Sequence, residues 1–382
     1  MRAVQAPIIP ITAEMIRAHP GTISLGQGVV SFGPPRQAIA ALASFSGGLE
    51  DHHYGAVEGT DALVEALRAK LESDNAIRLD AASRIVVTAG ANMAFMNAIL
   101  AVTDPGDEVI LQSPYYFNHD MAITMAGCRM VPVATDADYQ LLPDAVRRAI
   151  TTRTRAVVTI SPNNPSGAVY PEAAVREVNA ICADRGVYHV HDEAYEYFTY
   201  EDARHFSPGS IPGAAAHTIS LFSMSKTFGM ASWRVGYMIV PARLFESINK
   251  IQDTILICPP LVSQHVALAA LRVGSGYCRA KVAELASVRK MVLAAFDGIS
   301  DLCTVPRPDG AFYCLVRVHL PLDPLTLVER LIRDHRVAVV PGTAFGLDGC
   351  HLRVSYGALD AHTVEEGIQR LVGGLRAISR QV

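Results

Sequence analysis

Lys226 stands in the run Ser223-Met-Ser-Lys-Thr-Phe-Gly-Met-Ala-Ser-Trp-Arg234-Val-Gly236, with hydroxyls before it, a glycine after it and an arginine eight residues on. A surface lysine needs no such neighbours. A lysine that forms a Schiff base needs a dry pocket, and a phosphorylated cofactor beside it needs hydroxyls and a guanidinium for its dianion. The run therefore points to covalent attachment of pyridoxal phosphate at Lys226, with Ser223, Ser225 and Arg234 around the phosphate.

Other stretches supply chemistry that such a cofactor uses. Gly90-Ala91-Asn92 follows the apolar run Ile85-Val-Val-Thr88 and opens a helical pattern, so its backbone N–H groups are expected to face an anion. Asp192 ends the apolar run before Glu193-Ala-Tyr195, where a carboxylate can keep a pyridine nitrogen protonated; the plain alternative is a helix N-cap. Arg353 lies in Leu352-Arg-Val-Ser-Tyr356, where a guanidinium among apolar and small residues is costly unless paired, and a substrate carboxylate is a bidentate partner.

Residues 223–236 nearly match S-x-[ST]-K-x-[FYL]-[AG]-x-x-G-x-R-x-G, and the chain thereby resembles the fold-type I, class I/II pyridoxal-phosphate aminotransferases of the aspartate and kynurenine kind; Ser232 departs from the pattern. Partner motifs occur in order from about residue 25 to residue 357. The resemblance implies that Asn164, in Asn164-Pro-Ser-Gly167, and Tyr195 bond the cofactor's phenolate oxygen, and that Tyr116 stacks on its ring. It implies that His119 holds Asp192, that Arg353 and Asn164 bind the substrate, and that Gly28 lets backbone approach it. Tyr54, with Gly59 in Y-x-x-x-x-G spacing, is implied to reach the phosphate of a neighbouring subunit, making a homodimer with shared active sites.

The elements that must position these residues read as α/β. Short apolar runs at Arg84–Thr88, Asp107–Leu111, Ala156–Ile160, Gly186–Val190 and Thr218–Phe222 alternate with helical patterns, which predicts a largely parallel central sheet flanked by helices. Ligands on such sheets gather beyond the carboxyl ends of the strands. A long amphipathic helix over about 277–299 leads into a smaller α+β domain. The expected division is 1–40 as an arm joining the small domain, 41–276 as the cofactor-binding domain and 277–382 as the small domain.

Composition bounds the alternatives. Half of the 382 residues are hydrophobic and the formal net charge is −4, with no basic cluster to neutralise nucleic-acid phosphates. The seven cysteines are scattered without C-x-x-C spacing, which suits a reduced, cytoplasmic protein. Prolines interrupt the first ten residues where a signal peptide needs an apolar run, and no stretch reaches the roughly 18 apolar residues of a membrane span. His189-Val-His191 has metal-ligand spacing, but a packed or hydrogen-bonding role is the stronger reading, so no metal is expected. Gly26-x-Gly28 lacks the third glycine of a dinucleotide loop, and Ser223-x-x-Lys226 lacks the S-D-N and K-T-G companions of the penicillin-binding enzymes.

The expected activity is transfer of an α-amino group from an amino acid to a 2-oxo acid, with Lys226 as general base. Asp253, six residues before Pro259-Pro260, stands where aspartate aminotransferases carry an arginine that binds the distal carboxylate across the dimer interface, which suggests a basic or guanidino substrate such as arginine; a solvated helix-end aspartate is the plain alternative. Ile255-Leu-Ile-Cys258, Tyr115 and Phe117 suit methionine, aromatic or glutamine-type substrates as well. A β-lyase, decarboxylase or cyclase shares the fold-level site. A cofactor-sensing regulator is disfavoured, since it needs a DNA-binding module and fewer than 30 residues precede Gly28.

Overall fold

A computed structural model describes residues 1–45 and 47–382. Its strands, in chain order, are β1 (Ile23–Ser24), β2 (Ser83–Thr88), β3 (Glu108–Ser113), β4 (Arg129–Ala134), β5 (Thr154–Ile160), β6 (Tyr188–Asp192), β7 (Thr218–Ser223), β8 (Gly236–Pro241), β9 (Cys303–Thr304), β10 (Tyr313–Val318), β11 (Val337–Ala338), β12 (Val340–Pro341) and β13 (His351–Ser355). Seven of them form one sheet in the order β2-β8-β7-β6-β5-β3-β4, in which β8 alone runs against its neighbours. The central strands are buried along almost their whole length, as expected of a sheet covered on both faces.

Two strands of this sheet escaped the sequence reading. Arg129–Ala134 carries a proline and several half-exposed positions, as an edge strand allows, and Gly236–Pro241 lies directly behind the lysine motif as the antiparallel member. The reversed β8 still serves the site, because it returns the chain from Arg234 beside β7 and β2.

The helix Gly276–Asp297 leads into a four-stranded sheet, β12-β13-β10-β9, covered by the helices Pro324–His335 and Ala361–Ser379. The N-terminal helix Ile8–Ala18 packs Met15 and Ile16 on that core and Ile8 and Ile9 on Phe117, Val340 and Phe345. The short helix Arg36–Ala40 packs instead on Leu261–Val273, beside the large sheet. No described helix is long and apolar enough to cross a membrane.

Candidate active site

A cavity of about 390 Å³ opens at the carboxyl ends of β5, β6 and β7, and its walls include Gly28, Asn92, Tyr116, Asn164, Asp192, Tyr195, Lys226, Arg234 and Arg353. Residues scattered over more than 300 positions of sequence therefore meet in one place.

Lys226 lies in the single turn Met224–Thr227 that follows β7, with Ser223 capping the turn by accepting a bond from the Ser225 amide at 3.2 Å. Its Nζ donates to the Gly28 carbonyl. Burial, then the charges of Arg234 and Arg353, lowers the ammonium pKa to about 8, against the opposing pull of Asp192. Asp192 is buried at the end of β6, with one oxygen accepting from the Ala194 amide at 3.0 Å and the other 3.2 Å from Nε2 of His119. His119 is itself fixed by a stack on Phe95, ring centroids 3.9 Å apart.

Gly90 holds φ +84°, and a Cβ there would fall 2.2 Å from Nη2 of Arg234. Glycine is thus required for the guanidinium to lie against the start of the helix Ala91–Val102. Arg234 donates to the carbonyls of Ala231 at 2.9 Å and Ala89 at 3.3 Å and remains open to the cavity. Guanidinium, helix N-terminus, Ser223 and Ser225 form a cradle suited to a phosphate dianion. Ser232 sits in the exposed turn Ala231–Trp233 outside the left-handed region, so the departure from the family pattern leaves this cradle intact.

On the far side, Arg353 donates to Oδ1 of Asn164 at 2.9 Å and to the Gly26 carbonyl at 2.7 Å, while its Nε is buried without a partner. Its guanidinium lies 4.6 Å from the ring centroid of Tyr313 and 5.1 Å from that of Phe345. No side-chain carboxylate among the described residues pairs with it, which is the state of a group that awaits a substrate carboxylate. Tyr195 reaches the same wall, where its hydroxyl meets that of Tyr313 at 2.8 Å, and burial holds its phenol well above the usual range. Gly28 fits because a Cβ would come within 2.9 Å of the Tyr313 hydroxyl.

Tyr116 lies on the cavity wall, edge-on to His119 at 5.3 Å, and its hydroxyl accepts from Asn118 at 2.8 Å. Tyr54 lies elsewhere, 80% exposed beside Leu256, Cys258 and Pro260. Asp253, whose expected role lies across a dimer interface, is exposed on the helix Phe245–Ile255 outside this cavity, and its carbonyl accepts from the Ile257 amide at 3.0 Å.

The sequence reading missed Tyr313, Gln27 and the N-terminal Pro7, Ile9 and Pro10, all of which line the cavity. Strand alternation could have found Tyr313: β10 pairs with β13 so that Tyr313 opposes Ser355 and Leu315 opposes Arg353, which sets Tyr313 and Arg353 on one face.

A family model described as aminotransferase class I and II matches residues 20–371. The chain is 34% identical to the aromatic aminotransferase ISS1 of Arabidopsis thaliana, over 98% of this chain and 94% of that one. It is 36% identical to the aspartate/prephenate aminotransferase of Thermus thermophilus, over 83% of this chain and 80% of that one. Among solved structures, the aromatic aminotransferase from Pyrococcus horikoshii OT3 superposes with a TM-score of 0.88 at 31% identity, covering 96% of this chain and 99% of the other.

Proposed function

The chain belongs to the class I and II aminotransferases, enzymes that use pyridoxal phosphate, and from that premise we propose that it transaminates a large apolar or aromatic amino acid. The observation that carries this reading is the composition of the cavity wall. Its cations are Lys226, Arg234 and Arg353, and each has a use before any substrate side chain is considered. The remaining wall includes Pro7, Ile9, Pro10, Val29, Tyr116 and Phe117, which offers apolar and aromatic surface and no fourth cation from this chain for a second carboxylate. The similarity to relatives named as aromatic aminotransferases supports the same reading, whereas the relatives reported above give no support to an arginine-like substrate.

The residues divide the work by position. Arg353, with two N–H groups on Asn164 and Gly26 and Nε free, holds the α-carboxylate. When bound, pyridoxal phosphate supplies an aldehyde for the amino group and a pyridine ring that takes up the electron pair left at Cα. Asp192, anchored by His119 and the Ala194 amide, holds a proton on the pyridine nitrogen. The Nζ of Lys226, with its lowered pKa, takes the proton from Cα as a neutral amine. Asn164, Tyr195 and Tyr116 line the same cavity, where the first two would hydrogen-bond the cofactor and Tyr116 would pack against it.

Tyr54, with Ile255 and Ile257 also exposed, suits contact with a second copy of the chain and a shared site. The reading is tested by adding phenylalanine, aspartate and arginine singly to the cofactor-loaded enzyme and following the visible absorbance through the half-reaction. Phenylalanine is expected to convert the cofactor at least about tenfold more efficiently than aspartate, a difference of about 1.4 kcal/mol. Preference for aspartate or arginine would sink the assignment.

A further inference from the structure

We propose that His191, Glu193 and His205 form a binding site for a divalent cation of the zinc class, on the face of β6 turned away from Asp192. The strand pairing continues one residue past Asp192, with the Glu193 amide donating to the Leu221 carbonyl at 2.8 Å. Side chains 191 and 193 therefore share the face opposite residue 192. His205 arrives from the segment beyond Tyr200, and one potential ligand atom of each residue lies within 4.8 Å of the other two.

The polar atoms at this point are not satisfied by the protein. Nδ1 of His191 meets the Thr159 hydroxyl at 2.6 Å, but its Nε2 is buried with no partner. Oε2 of Glu193 meets Nε2 of His205 at 2.8 Å and accepts from the Ser207 hydroxyl, while Oε1 has no partner. Ser220, opposite His191 in the register of β6 and β7, also has a buried hydroxyl without a partner. Interior polar atoms are normally paired, so several unpaired ones together mark a missing polar occupant.

The chemistry of the cluster selects among occupants. Water needs only donors and acceptors, whereas two imidazoles and a carboxylate are a zinc ligand set. Glu193 is fully buried, and among the described residues its one ion-pair partner is His205, itself a ligand of the site, with no lysine or arginine beside it, so a cation bound by both would compensate its charge. Zinc–ligand bonds of about 2.0–2.1 Å place tetrahedral ligand atoms roughly 3.4 Å apart, between the 2.8 Å that separates Oε2 of Glu193 from Nε2 of His205 and the 4.8 Å that bounds the three ligand atoms. The Thr159 hydroxyl fixes the His191 ring from behind, as outer-shell partners of metal ligands do. His189 is excluded, because both of its nitrogens are engaged, by Thr159 at 2.7 Å and Asn179 at 3.0 Å. The expectation of no metal rested on the His189 and His191 pair and could not see His205. A cation here would tie the 205–207 segment to the strand end that carries Asp192.

The test is equilibrium dialysis of chelator-treated, cofactor-loaded enzyme against zinc, with bound metal counted by mass spectrometry. The wild type is expected to hold about one zinc per chain, and His191→Ser to bind it at least about tenfold more weakly. Glu193→Gln, nearly isosteric, repeats the comparison if His191→Ser does not fold; retained cofactor absorbance certifies either variant. If neither folds, zinc X-ray absorption of the wild type decides, with two imidazoles in the shell expected. Absence of bound zinc, equal binding by the wild type and a folded variant, or a shell with fewer than two imidazoles overturns the proposal.

Discussion

The hydroxyls of Tyr195 and Tyr313 lie 2.8 Å apart, and the Tyr313 ring also stands 4.6 Å from the Arg353 guanidinium. One phenol thus touches both the side chain proposed to orient the cofactor and the one proposed to hold the substrate. Tyr313→Phe keeps the ring and removes the bond, so the Tyr195 hydroxyl loses one of its two partners at a cost of about 0.5–1.5 kcal/mol and is no longer held in place from the protein side. The half-reaction is expected to slow roughly 10- to 100-fold, with a shifted pH midpoint of the cofactor absorbance. A pH titration of that band beside stopped-flow rates checks this, and an unmoved midpoint with an unchanged rate contradicts it.

Arg353→Lys replaces a planar fork by a point charge and loses at least one charge-assisted bond, worth about 1.5–3 kcal/mol. KM for the amino acid should rise roughly 10- to 150-fold, with kcat changing less, because the carboxylate is held alike in the ground and transition states. Steady-state kinetics with one amino acid and saturating oxo acid separate the two constants.

At Gly90, an alanine must take φ +84° and would place its Cβ 2.2 Å from Nη2 of Arg234. Gly90→Ala displaces the guanidinium from the helix start, so pyridoxal phosphate should bind about tenfold more weakly or worse. Equilibrium dialysis with the cofactor measures the change. Unaltered affinity would remove Arg234 and the helix N-terminus from the phosphate cradle.

The Lys226 amine carries a signed prediction for the cofactor-free protein. Its folded pKa of about 8 lies below the ordinary 10.5, so burying the charged form costs stability, on the order of 3 kcal/mol, below pH 8. Between pH 8 and 10.5 the unfolded chain binds the extra proton, and stability rises with pH. Lys226→Met should be more stable than the wild type below pH 8 and lose that advantage by pH 10.5. Denaturant unfolding across this range shows whether the two curves converge.

Local chemistry was legible in the sequence and distant neighbours were not. Lys226, Arg234, Asp192 and the Gly90 turn each sit in short runs whose residue types are fixed by the next atom they must touch, and the fold gathers them as those runs suggest. Pro7 and Ile9 reach the cavity only because the N-terminal helix packs beside Phe117 and Val340, a juxtaposition that no spacing reveals. The antiparallel β8 was hidden because a strand's direction lies in its connections and not in its composition.

The most direct test of the account is borohydride reduction of the cofactor-loaded protein followed by proteolysis and mass mapping. The phosphopyridoxyl mass is predicted on the peptide that carries Lys226. Label on Lys70, Lys250, Lys281 or Lys290, or on none, would contradict it.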